Sequence, residues 1–239
     1  MLKEFLTTNK NLRARETILR HRFIYDVMLA AARSRYHLSV FVSETDVDGY
    51  DLILDDGNLA RKIQLKTTAG NIEDFKDNGI HVRALIPSPS DARAMGLGFK
   101  SIPPWTGYGG AVVLKKLHFN KKEIDVDYYV SDAYIAAAIG FCCNNHPHSR
   151  AARGLLKRIQ NADSFGRVAV YGRAFLRPNS VDALLCLLGL KSRAANNWIT
   201  NLVTYMGIKN GTMQEQRRIR LKENFRQNVS RSILELTQR

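Results

Sequence analysis

Apolar residues first recur at helical spacing. Leu19, Phe23, Val27 and Ala30 or Ala31 fall on one stripe of a run from Leu12 to about Arg35 that has no Pro or Gly. The run predicts an opening helix, with Asn9 or Asn11 as its cap. Glu16 precedes Leu19 on the same face, and a carboxylate heading an apolar stripe is costly to bury unless something pairs with it. The period then changes. Leu38, Val40 and Val42 alternate within His37 to Ser43, which predicts a strand. Tyr50 to Leu54 and Ala60 to Thr67 flank Asp55-Asp56-Gly57-Asn58, a turn that predicts a hairpin because Asp-Gly accepts positive φ.

The pattern loosens from Thr68 to Tyr108. Pro87, Pro89, Pro103, Pro104 and several glycines predict long loops with short elements, one reading of which is a substrate-contacting arm. Ala111 to Phe119 and Ile124 to Val130 predict a strand pair, joined by Asn120-Lys121-Lys122-Glu123. A helix is expected over Asp132 to Cys142 and a strand over Val168 to Phe175. A short helix, capped by Asn179 or Ser180, should run to Leu188 and stop at Gly189. Leu221, Phe225, Val229, Ile233 and Leu236 form a last helical stripe, so the end of the chain reads as two helices broken at Gly207 to Gly211. There is no internal repeat and no low-complexity tract.

Composition narrows the function classes. The 239 residues suffice for a sizeable core, and an apolar fraction of 45% argues against wholesale disorder. The longest apolar stretch, Ala133 to Cys143, falls short of the roughly 20 residues a bilayer crossing takes. The start of the chain lacks the apolar segment of a signal peptide, and three cysteines make no disulfide framework, so the cytoplasm is expected. The net charge of +14 favours polyanionic partners, nucleic acid above all. Half of that excess lies in 191–239, where ten basic residues face three acidic ones. Arg217, Arg218, Arg220, Lys222 and Arg226 make this segment a candidate DNA-contacting or dimerising appendage to a domain of residues 1–190.

The chemistry concentrates in the hairpin. On a strand Gln64 and Lys66 share a face, and the hairpin brings Asp51 alongside. A carboxylate, an amide oxygen and an ammonium on one sheet edge suit phosphodiester hydrolysis. That reaction uses a divalent cation to neutralise the scissile phosphate and help deprotonate water. Asp51 is the natural ligand for magnesium or manganese, and Lys66 can position water and stabilise developing charge.

Gly49-Tyr50-Asp51-Leu52-Ile53-Leu54 followed by Ile63-Gln64-Leu65-Lys66 resembles the core motif of the PD-(D/E)XK nuclease superfamily. The resemblance covers Glu16 to about Thr67, with later elements able to complete the core as far as Leu190. It implies an α/β restriction-endonuclease-like fold, a helix and a central mixed sheet with the catalytic hairpin and flanking helices. It also implies Asp51 as motif aspartate, Lys66 as motif lysine and Glu16 as the helix glutamate seen in many members. Metal would be held by Asp51, Glu16 and Gln64. Gln64 stands where the second acid usually sits, which resembles Mrr-like enzymes and lowers the negative charge available to a metal. The implied activity is a metal-dependent DNA endonuclease of restriction or phage-defence type, simplest as a homodimer when it cuts both strands.

Other readings of the same residues stand beside this one. Asp51 and Lys66 also fit an ordinary strand end and an exposed strand lysine, and Glu16 fits a surface pair with Arg13 or Arg20. Glu44, Asp46 and Asp48 read as solvated turn acids, Asp48 being the fallback ligand. Cys142, Cys143, His146 and His148 lack ordinary zinc spacing. Trp105 and Tyr108 suit either base stacking or core filling. The alternatives to a DNA endonuclease are an inactive nucleic-acid-binding protein on the same scaffold, a repair or junction-resolving nuclease, and an RNA-directed enzyme.

Overall fold

In the computed structural model, residues 2–43, 49–100, 109–120, 123–163, 165–191, 198–213 and 219–237 are described. In chain order the elements are α1 (Leu2–Thr7), α2 (Leu12–Arg33), β1 (Ser39–Val42), β2 (Leu52–Asp55), β3 (Ala60–Thr68), β4 (Lys76–His81) and α3 (Pro89–Met95). They continue with β5 (Gly110–Phe119), β6 (Ile124–Ser131), α4 (Ala133–Ala137), α5 (Ser149–Asn161), β7 (Arg167–Tyr171), α6 (Val181–Leu187), α7 (Trp198–Lys209) and α8 (Ile219–Thr237). The architecture is α/β. A five-stranded sheet has the order β1-β2-β3-β5-β6, mixed because β3 and β5 run parallel while the other neighbours are antiparallel. β4 and β7 form a separate antiparallel pair.

The apolar stripe of α2 does what its spacing predicts. Leu19, Phe23, Val27, Ala30 and Ala31 are buried, and Phe23 meets Tyr128 of β6 edge-on with ring centroids 5.5 Å apart. Tyr128 also donates to Asp26 at 2.6 Å, fixing α2 across one face of the sheet. Asn11 occupies the cap position but makes no side-chain cap bond; its amide donates to the Phe5 carbonyl instead. The hairpin turn closes at Gly57 with φ +81°, while Asp56 accepts from the backbone N–H groups of Asn58 and Leu59 at 2.8 and 2.7 Å.

Several expectations are adjusted. The predicted helix over 132–142 is an α-helical turn to Ala137 that widens into a π turn over Ala138–Cys142, where Cys143 N–H reaches the Ala138 carbonyl. The strand expected over 168–175 ends at Tyr171, because Gly172 begins a tight 3-10 turn. Ser180, not Asn179, caps α6 by accepting from Ala183 N–H. Gly207 lies inside α7, and the interruption between the last two helices follows Lys209. The 13-residue α5 was not foreseen. Neither were α3 and β4, which organise part of the loop-rich stretch. Trp198, Leu202 and Met206 of α7 and Val229 and Ile233 of α8 belong to the same apolar cluster as the sheet. No helix among the described residues is long and apolar enough to cross a membrane.

Candidate functional site

The two strands of the hairpin part company at Leu52, which pairs with Ile63, so the second half of β3 extends without β2 beside it. Asp51 stands at that divergence. Its backbone N–H donates to the Ile63 carbonyl at 2.8 Å, and its Oδ2 accepts from Leu65 N–H at 2.5 Å. The carboxylate thus satisfies the β3 donor that β2 no longer reaches. Gly49, two residues earlier, holds φ +71°, and a Cβ there would lie 2.7 Å from the His81 ring; the approach to Asp51 requires glycine.

The open flank of β3 is one wall of a cavity of about 1010 Å³. Gln64, Leu65, Lys66 and Thr67 all line it although they alternate in direction, because the cavity wraps around the strand where β2 is missing. Asp51 and Ser43 contribute from the β2 side, Lys115 from β5, and Arg13, Arg15, Glu16, Thr17 and Arg20 from α2. The structure therefore brings Asp51, Gln64, Lys66 and Glu16 to one cavity. Among the described residues no ion pair joins Glu16 to Arg13 or Arg20.

Five cations (Arg13, Arg15, Arg20, Lys66, Lys115) face two carboxylates in this space. Lys66 Nζ pairs with Asp77 Oδ2 of β4 at 3.1 Å. Lys115 is 3% exposed. It aligns with Thr67 of β3 and Tyr128 of β6, the row of side chains beneath α2. Burial pushes its ammonium down to about 8, against the pull of Asp51 and Glu16, and Arg20 and Arg15 lower it further. Among the described residues, two buried polar atoms on the cavity lining have no hydrogen-bond partner: Gln64 Oε1, an acceptor, and Arg20 Nε, a donor. Unmet groups of opposite demand in one cavity suit a ligand that both accepts and donates, or an anion with its counter-cation.

The donor set of Asp51, Glu16 and Gln64 is all oxygen, which fits a hard divalent cation, and the orphaned Gln64 Oε1 is the atom that such an ion would satisfy. Among the described residues no group of three or more His, Cys, Asp or Glu side chains is gathered to hold a metal. Glu44, Asp46 and Asp48 lie outside the described residues, as do Trp105, Tyr108, Arg217 and Arg218. Arg220 and Lys222 fall on α8, with side chains outside the description. Arg226 is engaged within the protein, pairing with Glu223 at 3.0 Å and donating to Asn144.

Sequence reading missed Lys115, Arg20 and Asp77 as site components. Lys115 carried a signal, a cation inside the apolar run Ala111 to Leu117 of a central strand. Asp77 carried none, since only the pairing of β4 with β7 places it beside Lys66. Compared with known proteins, the chain matches no family model, no curated sequence and no solved structure.

Proposed function

We propose that the protein is a metal-dependent DNA endonuclease of the PD-(D/E)XK type, of restriction or phage-defence character, acting in the cytoplasm as a homodimer. One observation carries the reading: Asp51, Gln64, Lys66 and Glu16 share a strongly cationic cavity that holds an unmet acceptor and an unmet donor. The mixed sheet bearing the hairpin, with α2 laid across it, is the arrangement that the resemblance implies and supports a restriction-endonuclease-like core.

In this reading Asp51, Glu16 and Gln64 would hold magnesium or manganese, which would supply charge neutralisation and a more acidic water. Arg13, Arg15 and Arg20 bind the phosphate backbone and orient the scissile group. Lys66, released from Asp77 by the incoming phosphate, places its ammonium against the charge that builds on the phosphoryl oxygens. Lys115, at the cavity floor, either donates to the same oxygens or holds a proton near neutral pH. The nicking of supercoiled plasmid with magnesium tests this. Wild type is expected to nick, while both Asp51→Ala and Lys66→Ala lose activity, Lys66→Ala at unchanged melting temperature and Asp51→Ala with a modest loss of stability from the unpaired Leu65 N–H. Equal cutting by both variants would sink the proposal.

A second reading, an inactive nucleic-acid-binding protein, is favoured by the occupation of Lys66 by Asp77 and by the amide at Gln64. It predicts DNA binding that is indifferent to magnesium and no nicking by wild type.

A further inference from the structure

Outside the cavity, one surface concentrates positive charge. Helix α5 is amphipathic. Ala152, Leu155, Leu156 and Ile159 are buried, and Arg150, Arg153, Lys157 and Asn161 are exposed along the opposite face at helical spacing. The helix contains no Asp or Glu, and among the described residues none of its three exposed cations makes an ion pair. Beside it runs β7. A groove of about 510 Å³ between them is lined by Lys157, Arg158, Asn161 and Arg167. Arg158 is fixed there, its Nε donating to the Ala169 carbonyl at 2.8 Å and its guanidinium lying 4.9 Å from the Tyr171 ring. Lys76 of β4 lies 5.7 Å from that ring.

This surface leads to the cavity. Lys66 pairs with Asp77, and the point a Cβ on Gly79 would occupy lies 3.2 Å from Asp77 Oδ1 and 3.5 Å from Arg167 Nη1. Asp77 thus lies between Lys66 of the cavity and the neighbourhood of Arg167, which lines the groove.

We infer that the α5–β7 face is a docking track for the phosphate backbone of duplex DNA, continuous with the cavity; the choice of DNA as partner rests on the proposed function. The row from Arg150 to Lys157 spans about 10 Å at 1.5 Å per residue. Phosphates recur at every nucleotide of a strand, so a row of this length meets more than one of them. A membrane surface is the wrong occupant, because interfacial helices bury an apolar face in lipid and α5 buries its own in the protein core.

The test is fluorescence anisotropy of a labelled 20-base-pair duplex in EDTA, where no cutting occurs, across a salt series. The variants are Arg153→Gln/Lys157→Gln/Arg167→Gln and a charge-matched control, Arg33→Gln/Arg35→Gln/Arg231→Gln, both checked for a wild-type melting temperature. The track triple is expected to weaken binding at least about tenfold and to lower the salt slope by about 3, one per lost contact. The control should bind within about twofold of wild type. Equal losses in both triples, or none in the track triple, would overturn the inference, as would a wild type that binds no duplex. Failure of the nuclease reading is distinguishable: wild-type protein that never nicks plasmid yet needs the track to bind leaves this inference standing.

Discussion

Strand β3 carries two polar regions with opposite fates. Near its start Arg61 is 1% exposed and is consumed by the fold. Its guanidinium pairs with the fully buried Asp132, donates to the Gly110 carbonyl at 3.2 Å and lies 5.1 Å from the Tyr134 ring. Asp132 in turn caps α4, accepting from Ile135 N–H at 2.6 Å, and Tyr134 donates to Asp91 at 2.6 Å. Among the described residues Nε of Arg61 has no hydrogen-bond partner. Three residues further along, Gln64 is nearly as buried, yet its carbonyl oxygen has no partner, and Lys66 and Lys115 sit among more cations than carboxylates. The first region closes its hydrogen bonds internally and staples β3 to β5, α4 and α3. The second leaves them open towards a cavity. Burial of polar groups alone does not mark a site; unspent hydrogen-bonding capacity facing solvent-accessible space does.

The largest test of the contrast is removal of one partner of the closed pair. Asp132→Ala strands the Arg61 charge and uncaps α4, so urea unfolding should lose about 3–5 kcal/mol. Mutation at the open end should reverse the balance between stability and activity. Lys66→Ala is expected to cut about 10²–10³-fold more slowly in single-turnover nicking, with unfolding free energy within about 1 kcal/mol of wild type. If Lys66→Ala unfolds as readily as Asp132→Ala, the division between a structural and a functional end of β3 is wrong.

Much of this was legible because local signals and tertiary structure agreed. The α2 stripe, the Asp-Gly turn and the Asp51, Gln64 and Lys66 spacing each rest on short-range periodicity, and the strands that divide at Leu52 preserve it. What escaped notice depended on long-range pairing. Asp77 reaches Lys66 only because β4 leaves the main sheet for β7. Helix α5 was hidden by four basic residues and a glycine that dilute its apolar pattern, although Leu155, Leu156 and Ile159 are evenly enough spaced to have been found. The set of Glu16, Asp51, Gln64 and Lys66 was legible from residue types and spacing, not from strand order.

Lys115 sharpens the comparison through pH. Its folded-state pKa is pushed down to about 8 from the usual 10.5. Between those values the unfolded chain binds more protons, so this residue makes stability rise with pH there; below about 8 the folded protein carries the full cost of a buried charge. Lys115→Met should therefore be more stable than wild type at pH 7, by up to about 3 kcal/mol, with the difference shrinking towards zero near pH 10.5. Paired urea titrations at four pH values measure it. A difference that is constant with pH would mean that the ammonium is solvated through the cavity and that the open end of β3 is wetter than its burial suggests.

The smallest effect concerns Gln64, whose unmet carbonyl oxygen lies at the open end. Gln64→Glu keeps the size of the side chain and converts the orphaned acceptor into a third carboxylate beside Asp51 and Glu16. If that oxygen faces a cation site, manganese binding followed by calorimetry should tighten about tenfold, or about 1.4 kcal/mol, since affinity for hard cations follows ligand charge. Gln64→Met tests the same atom from the other side. It removes the unpaired carbonyl, so the metal-free protein should gain about 1 kcal/mol while manganese stabilises it less than it stabilises wild type. A cavity built only to grip phosphate answers differently: Gln64→Glu then cancels one of its cations, weakens duplex binding in EDTA and leaves manganese affinity where it was. The two variants together decide whether the open end of β3 was left unsatisfied for a metal ion or for the anion alone.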